Sequence, residues 1–337
     1  ELTLLDYVRC KILQKSLLQD LGTLFQRYVL HSWLRCEDNA LKFEYLTSFK
    51  RNGGDKTKPI LLSDKRLGSR KFQRKTALNA LAIAQRIGMA HLFFTMTCNP
   101  NAEEIREKLK ITQNENDRFD LICMYFHSQN LLLRSLIESG HLFGRKPAYV
   151  LQVIEFQNRG LPHSHTIVAF GGDEITKEEI DEYVSAGFDE GSTKDDRDLV
   201  CAFMIHKCTA KCKESNEKTK GKCKYGYPKE ECKKTVLDEH GYATYKRQNN
   251  FPDENLQWRN IVPHNLALLK LFNCHINVEW VGSQNCIAYL FSYAFKGVDY
   301  VNVYAERTDN DQINEIREYQ KCRSISGTEA FWRIMQY

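Results

Sequence analysis

The chain has 337 residues, 42% hydrophobic and 27% charged, enough for one large domain or two to three smaller ones. Seven prolines and eighteen glycines exclude a collagen-like or long low-complexity chain. A formal net charge of +5 is mild, and with no run of about eighteen apolar residues a membrane-spanning helix is not expected.

Leu4, Leu5, Val8 and Ile12 recur at helical spacing, and Leu17, Leu21, Leu24, Phe25, Tyr28 and Val29 continue it, so residues 2–46 are predicted mostly helical. Asn52, Gly53, Gly54, Asp55 and Pro59 mark a loop. A helix over 72–86 follows, with Ala77, Ala80, Leu81 and Ala84 on one side and Gly88 as its stop. The period then changes: His91 to Thr97 is β-prone, helical patterns return at 101–110 and 117–138, and two β-prone runs between Tyr149 and Phe170 flank a turn at Asn158, Arg159 and Gly160. Residues 171–196 are acidic and partly helical, Ile276 to Val281 reads as a strand, 283–296 as a helix, and 311–335 as partly helical. Helices alternating with strands and at least one hairpin give an α+β fold, with a helical N-terminal region at 1–88 and a sheet domain at 89–337.

The stretch RGLPHSHTIV at 159–168 is the most informative. In an extended strand, residues i and i+2 face the same way, so His163 and His165 project from one face about 7 Å apart. Glu155 and Gln157 share a face of the preceding strand. A three-residue loop at 159–161 would set Gln157 opposite His163 and Glu155 opposite His165. Two imidazoles plus an oxygen ligand suit a divalent ion that keeps open positions for a substrate; the other reading is a pair of hydrogen-bonded strand histidines.

IAYLFSYAFKG at 287–297 places Tyr289 and Tyr293 four apart on one helix face, with Lys296 three further on. Such a pair is either core packing or, beside a metal-bound phosphate, a pair of phenol nucleophiles able to form phosphotyrosine, Lys296 offsetting the developing charge. Trp258, Trp280 and Trp332 read as core, and His264 and His275 as structural; Thr95 and Thr97 share a strand face.

Twelve cysteines without a secretory signal point to a reducing compartment and to metal binding. His206, Cys208, Cys212, Cys223 and Cys232 fall within a segment, 206–234, that carries ten lysines against four glutamates. Cys208, Cys212, Cys223 and Cys232 are the expected structural Zn²⁺ ligands, with His206 replacing one of them as the alternative, because zinc would order a stretch with little apolar material. The basic insertion, expected to be ordered by zinc, spans 201–234. Its Lys222, Lys224, Tyr225 and Tyr227, with Arg159 of the hairpin turn, are the expected DNA contacts.

Paired strand histidines followed by a helix with two tyrosines and a lysine resemble the HUH endonucleases of rolling-circle replication and transposition. More closely, FQRYV (25–29), FFTMTCNP (93–100), IEFQNRGLPHSH (154–165), NIVPHNLALLKLFNCHINVEW (260–280), IAYLFSYAFKG and EAFWRI (329–334) are similar, in order, to the Rep nuclease domain of eukaryotic Helitron transposases. The resemblance implies an HUH-type central antiparallel β-sheet flanked by helices, and a Mg²⁺- or Mn²⁺-dependent nuclease acting on single-stranded DNA at transposon ends in the nucleus. It implies His163 and His165 as metal ligands, with Glu155 or Gln157 as the third. Tyr289 and Tyr293 would be nucleophiles leaving a 5′-phosphotyrosine and a free 3′-hydroxyl. Ser164 departs from the bulky hydrophobic residue usual between the two histidines. Helitron proteins continue into a helicase, whereas no GxxxxGK[ST] phosphate loop is present, so the chain is expected to be a nuclease portion or a shortened relative without its own ATP hydrolysis. The rival functions are a DNA-binding domain that has lost catalysis and a zinc hydrolase working through His163 and His165 alone.

Overall fold

The computed structural model describes residues 2–14, 19–55, 58–67, 69–157, 160–172, 174–213, 222–251, 257–281, 316, 319–320 and 325–337. In chain order its elements are α1 Leu4–Gln14, α2 Thr23–Arg51, α3 Arg70–Ile87, β1 Leu92–Thr97, α4 Glu103–Arg106 and α5 Phe119–Ser139. They continue with β2 Pro147–Phe156, β3 Pro162–Phe170, α6 Lys177–Tyr183, α7 Lys194–Phe203, α8 Ala210–Lys213, β4 Val236–Leu237, β5 Ala243–Thr244, α9 Leu266–Phe272, β6 Ile276–Trp280 and α10 Gly327–Met335.

The helix ends follow local chemistry. The Ser69 hydroxyl accepts from the Phe72 N–H at 3.1 Å and caps α3, and Gly88, at φ 125°, ends it where a side chain would be strained. Thr176 with Glu179 and Thr193 with Asp196 form reciprocal caps that start α6 and α7 inside the acidic segment. The helix expected over 101–110 is a single turn, α4, followed by turns.

The sheet has the order β2-β3-β1-β6, and every neighbouring pair is antiparallel. Leu92, Phe94 and Met96 of β1, with Val168 of β3 and Ile276 and Val278 of β6, turn one face into the main core. There they meet Phe119, Ile122, Phe126 and Leu133 of α5, Phe331 and Ile334 of α10, Phe25 and Val29 of α2, and Val8 and Ile12 of α1. The opposite face carries Phe93, Ile167, Ala169 and Tyr149, covered by Ala80 and Ala84 of α3. The small residues let the helix approach closely. Period-two alternation therefore splits β1 and β3 between two cores, and His163 and His165 fall on the α3 side.

Candidate metal centres

The β2–β3 hairpin sets the first site. Phe156 pairs with Pro162 and Glu155 with His163, and beyond them the Gln157 N–H donates to Leu161 O at 3.1 Å. Gly160, at φ 81°, donates its N–H to Gln157 O at 2.6 Å, so the glycine takes the last loop position, where a left-handed residue is needed. The hairpin pairing thus closes at Gln157 and Leu161, one residue earlier than a 159–161 loop would allow, and every pairing moves by two. An even shift keeps each side chain on its face. Glu155 stays with the histidines but lies opposite His163 and diagonal to His165, while Gln157 runs past the strand end and is exposed.

Both imidazoles are buried, each 5% exposed, and each is anchored through Nδ1. His163 Nδ1–H donates to Leu161 O at 3.2 Å, which leaves the Nε2 lone pair of the neutral ring unused by that bond. Burial lowers its pKa to about 4, against a small opposing effect of that carbonyl, so the ring is neutral at pH 7. His165 Nδ1 lies 3.2 Å from Thr95 Oγ1, and its Nε2 3.1 Å from Glu155 Oε2. Phe93 stacks on the His165 ring at 5.9 Å. Ser164, between the two, pairs with Met96 on the main-core side. Glu155 thus meets His165, and His163 lies two residues away on the same sheet face; each ring is oriented through Nδ1, as metal-ligating histidines commonly are.

Two residues in this row carry more than the sequence reading gave them. Thr95 orients His165 rather than simply packing the sheet. His275 continues the row beyond Thr97, whose N–H donates to His275 O at 2.9 Å, and its Nδ1–H donates to Phe203 O at 2.8 Å. Burial lowers the His275 pKa, and its proximity helps lower that of His163. The signal that finds His275 is strand register: it lies two residues before Asn277, the partner of Thr95. Tyr289, Tyr293, Lys296 and Arg159 lie outside the described residues.

The second site gathers at the β6 edge. Residues 204–206 run beside 260–262, where the His206 N–H donates to Asn260 O at 2.8 Å, and His264 bridges to Asn277 of β6. One metal-donor atom each of His206, Cys208 and Cys223 lie within 4.8 Å of one another. Cys223 Sγ is 3.3 Å and Cys212 Sγ 3.9 Å from His206 Nε2. Burial raises the Cys223 thiol, but the backbone around Tyr227 and Tyr225 and the thiols of Cys208 and Cys212 outweigh it and bring its pKa below the ordinary value. Cys232 stands elsewhere, its backbone paired with Arg247 and its Sγ 2.9 Å from Lys234 O. His206, Cys208 and Cys223 thus come together, with Cys212 beside His206 and Cys223, and Cys232 stands apart; the strand pairing with Asn260 delivers the histidine.

Of the expected DNA contacts, Lys222, Lys224 and Tyr225 are exposed, Lys224 Nζ lying 4.9 Å above the Tyr225 ring. Tyr227 is turned inward. Its ring stacks on His206 at 4.4 Å, and burial pushes its phenol up to about 12.

Residues 44–168 match the family model of the Helitron helicase-like domain at N-terminus, 125 of the 337 residues. That stretch is a Helitron transposase-related domain; it begins within α2 and takes in the β2–β3 hairpin with both histidines. No curated protein matches the chain.

Proposed function

We propose that the chain, with its Helitron transposase-related domain at 44–168, is a divalent-metal-dependent endonuclease and strand transferase acting on single-stranded DNA at transposon ends in the nucleus. One observation carries the reading: the Glu155 carboxylate meets His165 Nε2 at 3.1 Å while Nδ1 of both histidines is held by protein oxygen. Two imidazoles and a carboxylate fit Mg²⁺ or Mn²⁺ with positions left for a substrate, and His163, His165 and Glu155 would hold it. When bound, such an ion supplies Lewis-acid polarisation of a phosphate oxygen.

The protein's own groups do the rest. Leu161 O fixes His163. The Thr95 hydroxyl both donates and accepts, so it steadies His165 in either tautomer. Tyr289 or Tyr293 attacks phosphorus: the phenol oxygen–phosphorus bond forms, the bond to the 3′ oxygen breaks, the phenol loses its proton and the 3′ oxygen gains one. Lys296 offsets charge on the reacting phosphate. The product keeps its bond energy in a 5′-phosphotyrosine, which a 3′-hydroxyl can attack to rejoin strands.

The test is a labelled single-stranded oligonucleotide incubated with the protein and Mn²⁺. An adduct stable to SDS is expected, absent in the Tyr289→Phe/Tyr293→Phe double variant, in His163→Ala and with chelator. Binding without an adduct over many sequences would leave a DNA-binding domain without catalysis. Hydrolysis surviving loss of both tyrosines would instead favour the hydrolase reading.

Zn²⁺ is proposed for the second cluster, held by His206, Cys208, Cys212 and Cys223. Three sulfurs and one nitrogen are a preferred donor set for structural zinc, and the lowered thiol of Cys223 fits thiolate ligation. Four protein donors would leave such an ion no position for a substrate, so its role would be to shape the basic insertion.

A further inference from the structure

A second concentration of positive charge lies far from the cysteine cluster in sequence. Residues 50–75 hold ten lysines and arginines against two aspartates, a denser excess than that of 206–234. Described residues of this stretch help to line a cleft of about 1170 Å³ between α2 and α3, among them Arg51, Lys65, Lys71 and Arg74, with Phe43 and Leu78 beside them.

Its charges divide into two groups. Glu44 is taken by Arg66, whose Nε and Nη2 lie 2.7 and 2.6 Å from Glu44 Oε1, and it also accepts from the Ser63 N–H at 3.0 Å. Asp64 is taken by Lys75 at 2.6 Å. These pairs brace the loop against the helices. Arg51, Lys65, Lys71 and Arg74 have no carboxylate bonded to them among the described residues, and all four are exposed. The cleft thus presents four uncompensated cations. Between them it exposes apolar surface: Phe43 is 71% and Leu78 55% accessible.

We propose that this α2–α3 cleft binds single-stranded nucleic acid, its four cations pairing with successive phosphates and Phe43 stacking on a base. A duplex offers phosphates but keeps its bases stacked inside, and so would leave Phe43 and Leu78 in water. A single strand offers both charge and ring faces, the combination that cationic grooves with aromatic platforms bind. An acidic peptide would satisfy the cations alone. The site goes beyond the nicking reaction and needs only binding, so it stands or falls separately from it. It also bears on that reaction: α3 faces the cleft with Lys71, Arg74 and Leu78, and packs Ala80 and Ala84 on the sheet face that carries His163 and His165.

The experiment is fluorescence anisotropy of a labelled mixed-sequence single strand, with a duplex of the same sequence alongside, in EDTA and over a salt series. The wild-type chain is expected to prefer the single strand. Lys71→Gln/Arg74→Gln is expected to weaken single-strand binding roughly tenfold and to reduce the salt slope by about 1.4, since each phosphate contact on a single strand contributes about 0.7. Phe43→Ala is expected to weaken it about fivefold or more with the slope unchanged. Arg51→Gln/Lys65→Gln on the opposite wall repeats the first test should the α3 variant fail to fold. Unchanged affinity and slope in both glutamine pairs, or a preference for duplex, overturns the proposal. An adduct assay that fails while these shifts appear would sink the nuclease reading and leave the cleft intact.

Discussion

Gly160 decides where Glu155 sits. Its φ of 81° closes the hairpin loop, and a Cβ added there would meet Thr328 Oγ1 at 3.0 Å. Gly160→Ala is therefore expected to cost about 1–2 kcal/mol in a urea melt, from left-handed strain and that contact together. It should also weaken divalent-ion binding, because the register that brings Glu155 to His165 depends on the loop. The glycine was legible in the sequence, and so was the shared face of Glu155 with the histidines, since parity survives an even shift. The pairing itself turned on whether the glycine stood in the middle or at the end of the loop. His275 was not legible as a neighbour of His163, because a residue two strands away shares a row only through register, which no local spacing reveals.

Among the elements, the long helices and the buried strands announced themselves through periodicity. The cysteine segment did not, since its order comes from a few backbone pairings and a donor cluster. Cysteine spacing alone cannot tell Cys232 from His206 as the fourth donor; the bridges of Ile205 to Ile261 and Cys232 to Arg247 separate them by sending the two residues to different places. The proposed zinc site predicts one equivalent of zinc per chain by metal analysis. Cys223→Ser is expected to abolish retention and to expose 206–234 to limited proteolysis, whereas Cys232→Ser keeps the metal. Equal loss in both would mean that a different set of donors is in use. The basic run at 50–75 was in plain view as composition, but only the packing of α2 beside α3 makes it concave.

At the scale of the whole molecule, buried neutral histidines make the fold acid-sensitive. His264 is 1% exposed, donates Nδ1–H to Val262 O at 3.0 Å, and is lowered by burial to about 4. In the unfolded chain the same ring takes a proton near pH 6.5, so between about pH 6.5 and 4 the unfolded state binds more protons. Stability is retained in full above that window and falls as pH drops through it, by on the order of 3 kcal/mol for His264, with His163 adding in the same direction. Urea midpoints at pH 7.5 and 5 measure this. His264→Asn, which keeps a donor for Val262, is expected to flatten the dependence.

Phe25 of α2 rests on Phe119 of α5 at 4.9 Å between ring centres, and Phe119 meets Phe331 of α10 edge-on at 5.9 Å. A leading helix and the last described one thus share a single apolar seam, although the paired histidines and the cysteine cluster lie between them in sequence. Any shortened version that starts at β1 would bare the surface that Val8, Ile12, Phe25 and Val29 cover, side chains worth about 1.5–3 kcal/mol each when buried. The chain is therefore not expected to tolerate a cut at β1: the amino-terminal helices close the main core from behind, on the sheet face opposite His163 and His165.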